Sequence, residues 1–298
     1  MSFTAFVLIF LSVFLHAAWN FLSKKGNPSG AFYLLMGVAG TVITFFALPL
    51  SDLSLSELPG KFWLFLAGSF FFEMFYNLGL AYGYRAADIS LIYPMGRAMP
   101  VLLIAAVSML LGIGERPGST ALAGMVIIFA GCILMPLKDF KSFSIKTYCT
   151  KAIFFVLLIA VGTTGYTIMD SQAEKVLQMV PQDSRLMKSI LHLFFIELGL
   201  TLGLGAYVML VPWERQELKR IIKQPGYPVI AGIFSAVAYV LVLVAMGFVT
   251  NVSFVQAFRQ LSLPLGVFAG IVFLKESPAK PKLLGVALIV LGLILTVL

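Results

Sequence analysis

Charged side chains are scarce in this chain of 298 residues, because Asp, Glu, Lys and Arg together make up only 11% of it. A soluble domain carries roughly 25% charged residues. Hydrophobic residues reach 60%, with 27 Phe and 26 Gly, and the mean hydropathy is +1.00. Lipid-facing helices favour large apolar side chains, and contacts between membrane helices favour small ones. The composition therefore predicts an all-α integral membrane protein.

Cysteine and recognisable catalytic motifs are also scarce. The 2 cysteines, Cys132 and Cys149, belong to no CxxC or histidine-associated cluster, so neither a disulfide framework nor a metal site is expected. The sequence contains no GxxxxGK[ST], HExxH or GxSxG motif, which argues against ATP hydrolysis and against the familiar hydrolases. We expect no cofactor and no enzymatic activity, and we expect any transport to be driven by a gradient.

The net charge of +8 does not predict nucleic-acid binding. The basic residues lie in short connections between apolar runs, a distribution that the positive-inside rule explains. The first segment, MSFTAFVLIFLSVFLHAAWNFL, lacks a basic n-region and a small-residue cleavage site. We therefore expect it to be a retained helix and not a signal peptide.

Ten apolar runs are long enough to cross the hydrocarbon core, which needs about 20 residues. They fall near residues 3–23, 30–50, 62–84, 88–111, 119–137, 152–174, 188–212, 227–248, 251–274 and 282–298. With the N-terminus outside, the loops assigned to the cytoplasm carry most of the 21 Lys and Arg residues. The positive-inside rule then predicts a multi-pass protein of the bacterial inner membrane with both termini on the outer side.

The two halves of the chain resemble one another. Residues 114–134 align with residues 275–295 at an offset of 161 positions. The pairs that coincide are Glu115 with Glu276, Gly124 with Gly285 and Gly131 with Gly292. An odd number of helices in each half would give the halves opposite orientations. We therefore predict two inverted five-helix repeats, residues 1–138 and 147–298, an arrangement that many transporters use to place a site between the halves.

Several motifs resemble the drug/metabolite transporter superfamily, EamA type. They are the WN-xx-SKK end of the first helix, the helical hairpins ending in GERP and KESP, and the G-x6-G spacing in the last helix of each half. The resemblance covers essentially the whole chain. It implies a ten-helix inverted-repeat carrier of metabolites, with a central cavity formed by the first four helices of each half. The fifth and tenth helices would be a peripheral scaffold.

Polar residues recur within the apolar runs at helical spacing, so that each set shares one face of a helix. The sets are His16, Trp19, Asn20 and Ser23; Glu73, Tyr76 and Asn77; Ser90, Tyr93 and Arg97; Thr163, Tyr166, Thr167 and Asp170; and Ser253, Gln256, Arg259 and Gln260. Ionisable groups in a membrane helix are costly unless they are paired or hydrated. We therefore expect these faces to converge on one hydrated, aromatic-lined cavity that binds a small molecule.

Arg97 and Arg259 are the strongest candidates for substrate binding, since a guanidinium stays charged and its planar fork suits carboxylate, phosphate or phosphonate. The alternative is structural, with each arginine held by helix C-terminal carbonyls or by a carboxylate. Glu73 and Asp170 are candidates for a coupled proton or, as we favour, for counter-ions of the arginines. His16 is a candidate titrating group or a packing residue.

The sequence predicts a secondary transporter, with export favoured, for a small polar organic metabolite that carries an anionic group. An amino acid-like, zwitterionic, phospho- or phosphonate compound would fit. Proton-coupled efflux of cationic aromatic drugs and flipping of a lipid-linked precursor are the alternatives within transport. An enzyme or a channel is less well supported, because neither clustered nucleophiles nor rings of charge stand out. The expected partners are the substrate and membrane lipids, with a monomer and a homodimer both left open.

Overall fold

The computed structural model describes residues 2–87, 89–142, 152–223, 226–274 and 279–297. Over these residues the chain forms helices without a β-strand, so the prediction of an all-helical protein is confirmed for this part of the chain. The helices are α1 (Phe3–Lys25), α2 (Gly30–Thr44), α3 (Ala47–Leu50), α4 (Gly60–Ala86), α5 (Ile89–Leu110), α6 (Ser119–Leu134), α7 (Ile153–Gln178), α8 (Arg185–Leu210), α9 (Pro212–Ile221), α10 (Tyr227–Met246), α11 (Val252–Phe258), α12 (Ser262–Leu274) and α13 (Lys280–Leu295). Short 3-10 turns occupy Leu55–Glu57, Phe140–Ser142 and Arg259–Leu261.

Seven helical segments of the described chain are long and apolar enough to cross a membrane, judged by length and composition. They are Phe3–Lys25, Gly30–Leu50, Gly60–Ala86, Leu91–Leu110, Ile153–Gln178, Arg185–Leu210 and Tyr227–Met246. Large apolar side chains cover the outside of the molecule; Leu110 and Leu210, for example, are 84% and 80% exposed. Soluble monomers rarely expose apolar surface on this scale, so the fold is that of a membrane-embedded protein.

The other three predicted spans are helical but shorter or interrupted. Helices α6 and α13 have 16 residues each, which gives about 24 Å of helix against a hydrocarbon core of about 30 Å. The third segment is divided by the 3-10 turn Arg259–Leu261 into α11 and α12. Helix α9, which follows α8 directly and is rich in charged residues, was not predicted.

Four pairs of helices make the most extensive contacts between distant parts of the chain. Helix α4 packs along α7, α1 along α10, α6 along α13 and α2 along α8. Each pair joins a helix that precedes the predicted boundary to one that follows it, so the two halves interlock. The predicted link between them, residues 139–146, falls largely outside the described residues, as do Cys149 and Glu276.

Helix α9 is fastened to the start of α2 by a buried carboxylate. The oxygens of Glu214 accept hydrogen bonds from the backbone N–H groups of Gly30 and Ala31, each at 2.9 Å. The hydroxyl of Tyr82 donates a third hydrogen bond to the same carboxylate at 3.0 Å. Negative charge at a helix N-terminus satisfies free N–H groups and interacts favourably with the helix dipole. The contact therefore fixes the position of α2, which lines the cavity described below.

Helices α6 and α13 approach one another through glycine. A Cβ atom on Gly124 would lie 2.5 Å from the carbonyl oxygen of Gly292, and one on Gly131 would lie 2.7 Å from that of Gly285. The reciprocal distances, measured from Gly292 and Gly285, are the same. Small residues let membrane helices pack at close range. The four glycines that the repeat alignment pairs therefore meet in one interface.

We predict that Gly124→Val and Gly131→Val each lower the thermal stability of the purified protein in detergent. An added side chain would collide with the facing backbone, and overpacking of this kind costs about 1–3 kcal/mol. Gly118→Ala is the matched control, because no atom lies within 4 Å of a Cβ at Gly118, just before α6 begins. Wild-type melting temperatures for both valine variants would contradict the close packing of α6 on α13.

Candidate functional site

Residues from both halves of the chain line a cavity, here called the main cavity. Its polar and aromatic lining consists of Ser12, His16, Trp19, Tyr33, Glu73, Tyr76, Asn77, Tyr166, Glu197, Ser235, Tyr239 and Arg259. A smaller cavity shares Tyr76, Tyr166 and Arg259 with it. The smaller cavity adds Asn20, Tyr93, Arg97, Thr163 and Gln256 to the set of polar and aromatic lining residues.

The structure brings nearly all of the predicted site residues to these two cavities. The exceptions are Gln260 and Asp170. The side chain of Gln260 accepts a hydrogen bond from Nε of Arg97 at 3.3 Å. Gln260 therefore holds Arg97, which lines the smaller cavity, without lining a cavity itself. Asp170 is fully buried and reaches neither cavity. Ser90, which was part of one predicted polar face, is outside the set of side chains that the structure describes.

Arginine-bearing helices α5 and α11–α12 both have irregular backbones. Helix α5 contains Pro94 and Pro100, and a proline inside a helix removes one intrahelical hydrogen bond. In the second segment the carbonyl oxygen of Arg259, at the start of the 3-10 turn, accepts hydrogen bonds from the backbone N–H of Ser262, from the hydroxyl of Ser262 at 3.0 Å and from Nη2 of Arg97 at 2.6 Å. The turn therefore presents a backbone acceptor to the other arginine.

Arg97 is held by protein groups on several elements. Its Nη1 contacts Nε2 of His16 on α1, and its other nitrogens donate to Gln260 and to the Arg259 carbonyl. The guanidinium also lies 5.5 Å from the centre of the Tyr93 ring. Arg97 thus ties α1 and α5 to the 3-10 turn, which matches the structural alternative that the sequence left open.

His16 lies between two hydrogen-bond donors. Nε1–H of Trp19 donates to its Nδ1 at 3.1 Å, while Arg97 lies against its Nε2. A neutral imidazole accepts at only one nitrogen, and neither arginine nor tryptophan can accept. The region around Arg97 therefore has more donors than acceptors.

Arg259 has few protein partners and faces the main cavity. Among the described residues, its guanidinium makes a single long hydrogen bond, from Nη1 to the hydroxyl of Tyr166 at 3.5 Å. It also lies 5.7 Å from the centre of the Tyr239 ring, and the residue is only 5% exposed. A guanidinium has five N–H donors. Arg259 is therefore the arginine with hydrogen-bonding capacity left for a ligand.

Neither Glu73 nor Asp170 forms an ion pair with Arg97 or Arg259, since within the described chain no carboxylate lies within 4.0 Å of either guanidinium. Glu73 does interact electrostatically with Arg259, and the interpretation of Glu73 and Asp170 as counter-ions stays a prediction. Glu73 lines the main cavity and accepts a hydrogen bond from Nδ2 of Asn77 at 3.3 Å. Asp170 accepts a hydrogen bond from the hydroxyl of Tyr239 on α10 and faces His192 on α8. The part of α7 that carries Asp170 therefore faces α8 and not the arginine-bearing segment α11.

Five polar or aromatic residues of the main cavity were not among the predicted site residues: Ser12, Tyr33, Glu197, Ser235 and Tyr239. The carboxyl group of Glu197 packs on α2, where a Cβ on Gly40 would lie 2.6 Å from Cδ of Glu197. A glycine partner leaves no polar pattern in the sequence. Tyr239 shares its otherwise apolar helix face only with Ser235, yet its ring centre lies 5.8 Å from that of Tyr166, which in turn lies 5.4 Å from that of Tyr76. These three tyrosines form a row along the cavity.

No family model matches this chain, and no curated protein matches it. Among solved structures, one described only as the crystal structure of a protein aligns with 99% of this chain and 96% of its own, with a TM-score of 0.68 and 16% sequence identity. A likeness at this level of identity shows the fold alone. The arrangement of helices over the full length of this chain therefore occurs in another protein.

We predict that Arg97→Gln and Arg259→Gln have different effects on stability. Arg97→Gln should destabilise the protein by about 2–4 kcal/mol, since it removes the charged hydrogen bonds to Gln260 and to the Arg259 carbonyl and leaves the buried Oε1 of Gln260 without its donor. Arg259→Gln should change stability little or raise it, because it removes a buried charge that has a single long hydrogen bond. Thermal unfolding of both variants in the same detergent measures the difference, and the opposite order would contradict the roles assigned to the two arginines.

Proposed function

We propose that this protein is a secondary transporter for a small polar organic metabolite with an anionic group, and that Arg259 binds the anion. The observation that carries this proposal is the geometry of Arg259: a buried guanidinium that faces the main cavity, has one long hydrogen bond and has no carboxylate within 4.0 Å among the described residues. A permanent charge at membrane depth is costly unless it is compensated. A bound carboxylate, phosphate or phosphonate would supply that compensation through the free N–H groups.

Two carboxyl groups favour a substrate that also carries an ammonium group. Glu73 from α4 and Glu197 from α8 line the same cavity as Arg259. Carboxylates can hold an ammonium group while the guanidinium holds an acidic group, and the row of tyrosines offers apolar faces to the organic part between them. Among the compounds that the sequence leaves open, an amino acid-like or otherwise zwitterionic metabolite fits this lining best.

The proposal includes ten membrane spans arranged as two inverted repeats, residues 1–138 and 147–298. The pairing of helices supports the repeat, because exchanging the halves turns the α1–α10 pair into the α7–α4 pair and leaves the α2–α8 and α6–α13 pairs in place. The reciprocal glycine contacts between α6 and α13 fit the same symmetry. Kinship with EamA-type carriers and the outer location of both termini rest on sequence patterns and are part of this proposal.

The interrupted segment α11–α12 fits a carrier of this kind. Carriers often build their sites from discontinuous helices near the middle of the bilayer, at the interface between repeats. Here the interruption begins at Arg259, which belongs to the second half. The carbonyl oxygen of Arg259 accepts a hydrogen bond from Arg97, which belongs to the first half. Rocking of one half against the other would alternate access to this point, and export remains the favoured direction.

We predict that Arg259→Gln weakens binding of an anionic or zwitterionic ligand by roughly 10- to 100-fold, the effect of losing a hydrogen bond to a charged group. The measurement is thermal stabilisation of the purified protein across a panel of amino acids, phosphonates, sugar phosphates and cationic aromatic compounds. A ligand at 100 times its Kd stabilises the folded state by about 2.7 kcal/mol. Arg220→Gln is the matched control, since Arg220 is on the exposed surface of α9 with 48% of its side chain accessible.

Flux measurements in liposomes complete that test. Labelled forms of the stabilising compounds should exchange across the membrane in wild type and in Arg220→Gln, and much more slowly in Arg259→Gln. If Arg259→Gln bound and exchanged anionic compounds as well as wild type does, the role proposed for Arg259 would be refuted.

Efflux of cationic aromatic compounds is the second candidate, because Glu73 and Glu197 share the cavity with the tyrosine row. We predict that Glu73→Gln separates the two functions when it is compared with Arg259→Gln. For a zwitterionic substrate both variants should lose transport. For a cationic substrate Glu73→Gln alone should lose it, while Arg259→Gln should keep or improve it, since a repelling charge is removed. Growth of cells exposed to cationic dyes, together with amino acid flux in liposomes, distinguishes these outcomes.

A further inference from the structure

A second group of buried ionisable side chains lies behind the main cavity, where α7, α8 and α10 meet. Nδ1 of His192 is 2.8 Å from Oε1 of Glu174, and Nε2 of His192 is 3.7 Å from Oδ1 of Asp170. All three residues, here called the His192 cluster, are buried. The hydroxyl of Ser189 donates to Glu174 at 3.0 Å. One imidazole therefore lies between two carboxyl groups, and the function proposed above uses none of the three.

The facing atoms of Asp170 and His192 are the open positions of this cluster. In the described part of the chain, Oδ1 of Asp170 and Nε2 of His192 are buried without a hydrogen bond of normal geometry, and the hydroxyl of Ser69 on α4 lies close enough to interact with the Asp170 carboxyl group. Their separation of 3.7 Å exceeds a hydrogen bond. Since Nδ1–H of His192 donates to Glu174, Nε2 is the nitrogen whose protonation can change. A proton at Nε2 would give Oδ1 of Asp170 a hydrogen-bond donor.

Tyr239 connects the His192 cluster to the main cavity. Its hydroxyl donates to Oδ2 of Asp170, and its ring lines the cavity beside the guanidinium of Arg259. A change in the charge or position of Asp170 therefore acts directly on the residue against which Arg259 packs. In the other direction, an anion bound at Arg259 changes the electrostatic potential at Asp170.

The charged and titratable groups around the cluster come from α4, α7, α8 and α10. They are Asp170 and Glu174 on α7, Tyr239 on α10, Lys188 and Glu197 on α8, and Glu73 on α4, which interacts electrostatically with Asp170 and Glu197. Nζ of Lys188 donates to the carbonyl of Val180 and not to a carboxylate of the cluster. Carboxyl groups therefore outnumber the bases close to His192, a balance that favours the binding of a proton.

We propose that Asp170, His192 and Glu174 form a proton-binding site whose occupancy is coupled through Tyr239 to the ligand at Arg259. When the proton is bound, His192 is an imidazolium between two carboxylates. The proton on Nε2 then passes to Oδ1 of Asp170, so that the imidazole becomes neutral and Asp170 becomes a carboxylic acid. When Asp170 releases this proton, it becomes a carboxylate again. One proton is bound and released in each cycle. The proton site is inferred from the contacts of the His192 cluster alone, whereas its coupling to substrate transport rests on the proposed transport function.

Histidine-labelled protein tests the proton site without any substrate. The chain has only 2 histidines, so a nitrogen-15 spectrum contains signals from His16 and His192 alone, and His16→Gln assigns them. The spectrum is recorded from about pH 5 to about pH 9, and we expect the ring signals of His192 to change with pH. The midpoint should shift in Asp170→Asn, in Glu174→Gln and, by a smaller amount, in Tyr239→Phe. Tyr76→Phe is the matched control, because Tyr76 lines the cavity without contacting Asp170.

A His192 ring that keeps one protonation state across this range in wild type would overturn the proton site. The wild-type titration decides this point even if a variant at Asp170 fails to fold. A His192 midpoint that is the same in wild type and in Tyr239→Phe would overturn the coupling to the cavity.

A second experiment follows protons and amino acids together in liposomes that contain a pH-sensitive dye. A mixture of labelled standard amino acids is added outside liposomes that contain no amino acid, and the internal pH and the net uptake are recorded. We expect a pH change with wild-type protein and a several-fold lower ratio of protons to amino acids with His192→Gln. Net uptake without a pH change in wild type would overturn proton coupling and leave the transport function standing. Absence of uptake would count against amino acids as substrates, and the histidine titration would then decide the proton site.

Discussion

Hydrocarbon cannot solvate a guanidinium, so the buried side chain of Arg97 needs hydrogen-bond acceptors from the protein, and this requirement organises the centre of the molecule. Three elements meet at its side chain: α1 through His16, α5 itself, and the 3-10 turn through Gln260 and the Arg259 carbonyl. That carbonyl also accepts hydrogen bonds from the backbone N–H and the hydroxyl of Ser262. The 3-10 turn between α11 and α12 is therefore the point at which the backbone of the second half meets the buried arginine of the first half.

The two arginines have the same side-chain chemistry but differ in how many hydrogen bonds the protein offers to their guanidinium groups. Arg97 uses its donors on neighbouring side chains and backbone, while Arg259 makes one long hydrogen bond among the described residues and otherwise rests against aromatic rings. A charge satisfied by the protein stabilises one arrangement of helices. A charge that the protein leaves unsatisfied is stabilised by whatever enters the cavity, which makes binding selective for the opposite sign.

Much of the helical framework could be predicted from the sequence because it depends on local patterns. Run length and spacing located the helices and put His16, Tyr76 and Arg259 on polar faces. Partners in distant segments could not be predicted in this way. Asp170 shares a face with Tyr166, yet α7 turns it toward His192, and Glu214 caps a helix that begins at Gly30. Such pairs depend on how helices cross, and periodicity carries no information about crossing.

The two halves contribute equally to the arginines and unequally to the ionisable groups behind the main cavity. One arginine comes from each half, but Asp170, Glu174 and His192 all belong to residues 147–298, as does Tyr239. In the inverted arrangement proposed here, a perfectly symmetric carrier would have inward-facing and outward-facing states of equal free energy. A proton site on one side of the pseudo-symmetry axis removes that equality, because its protonation stabilises one state more than the other. Symmetry can thus provide the two states, and the asymmetric carboxyl–imidazole cluster can set the direction in which a proton gradient shifts them.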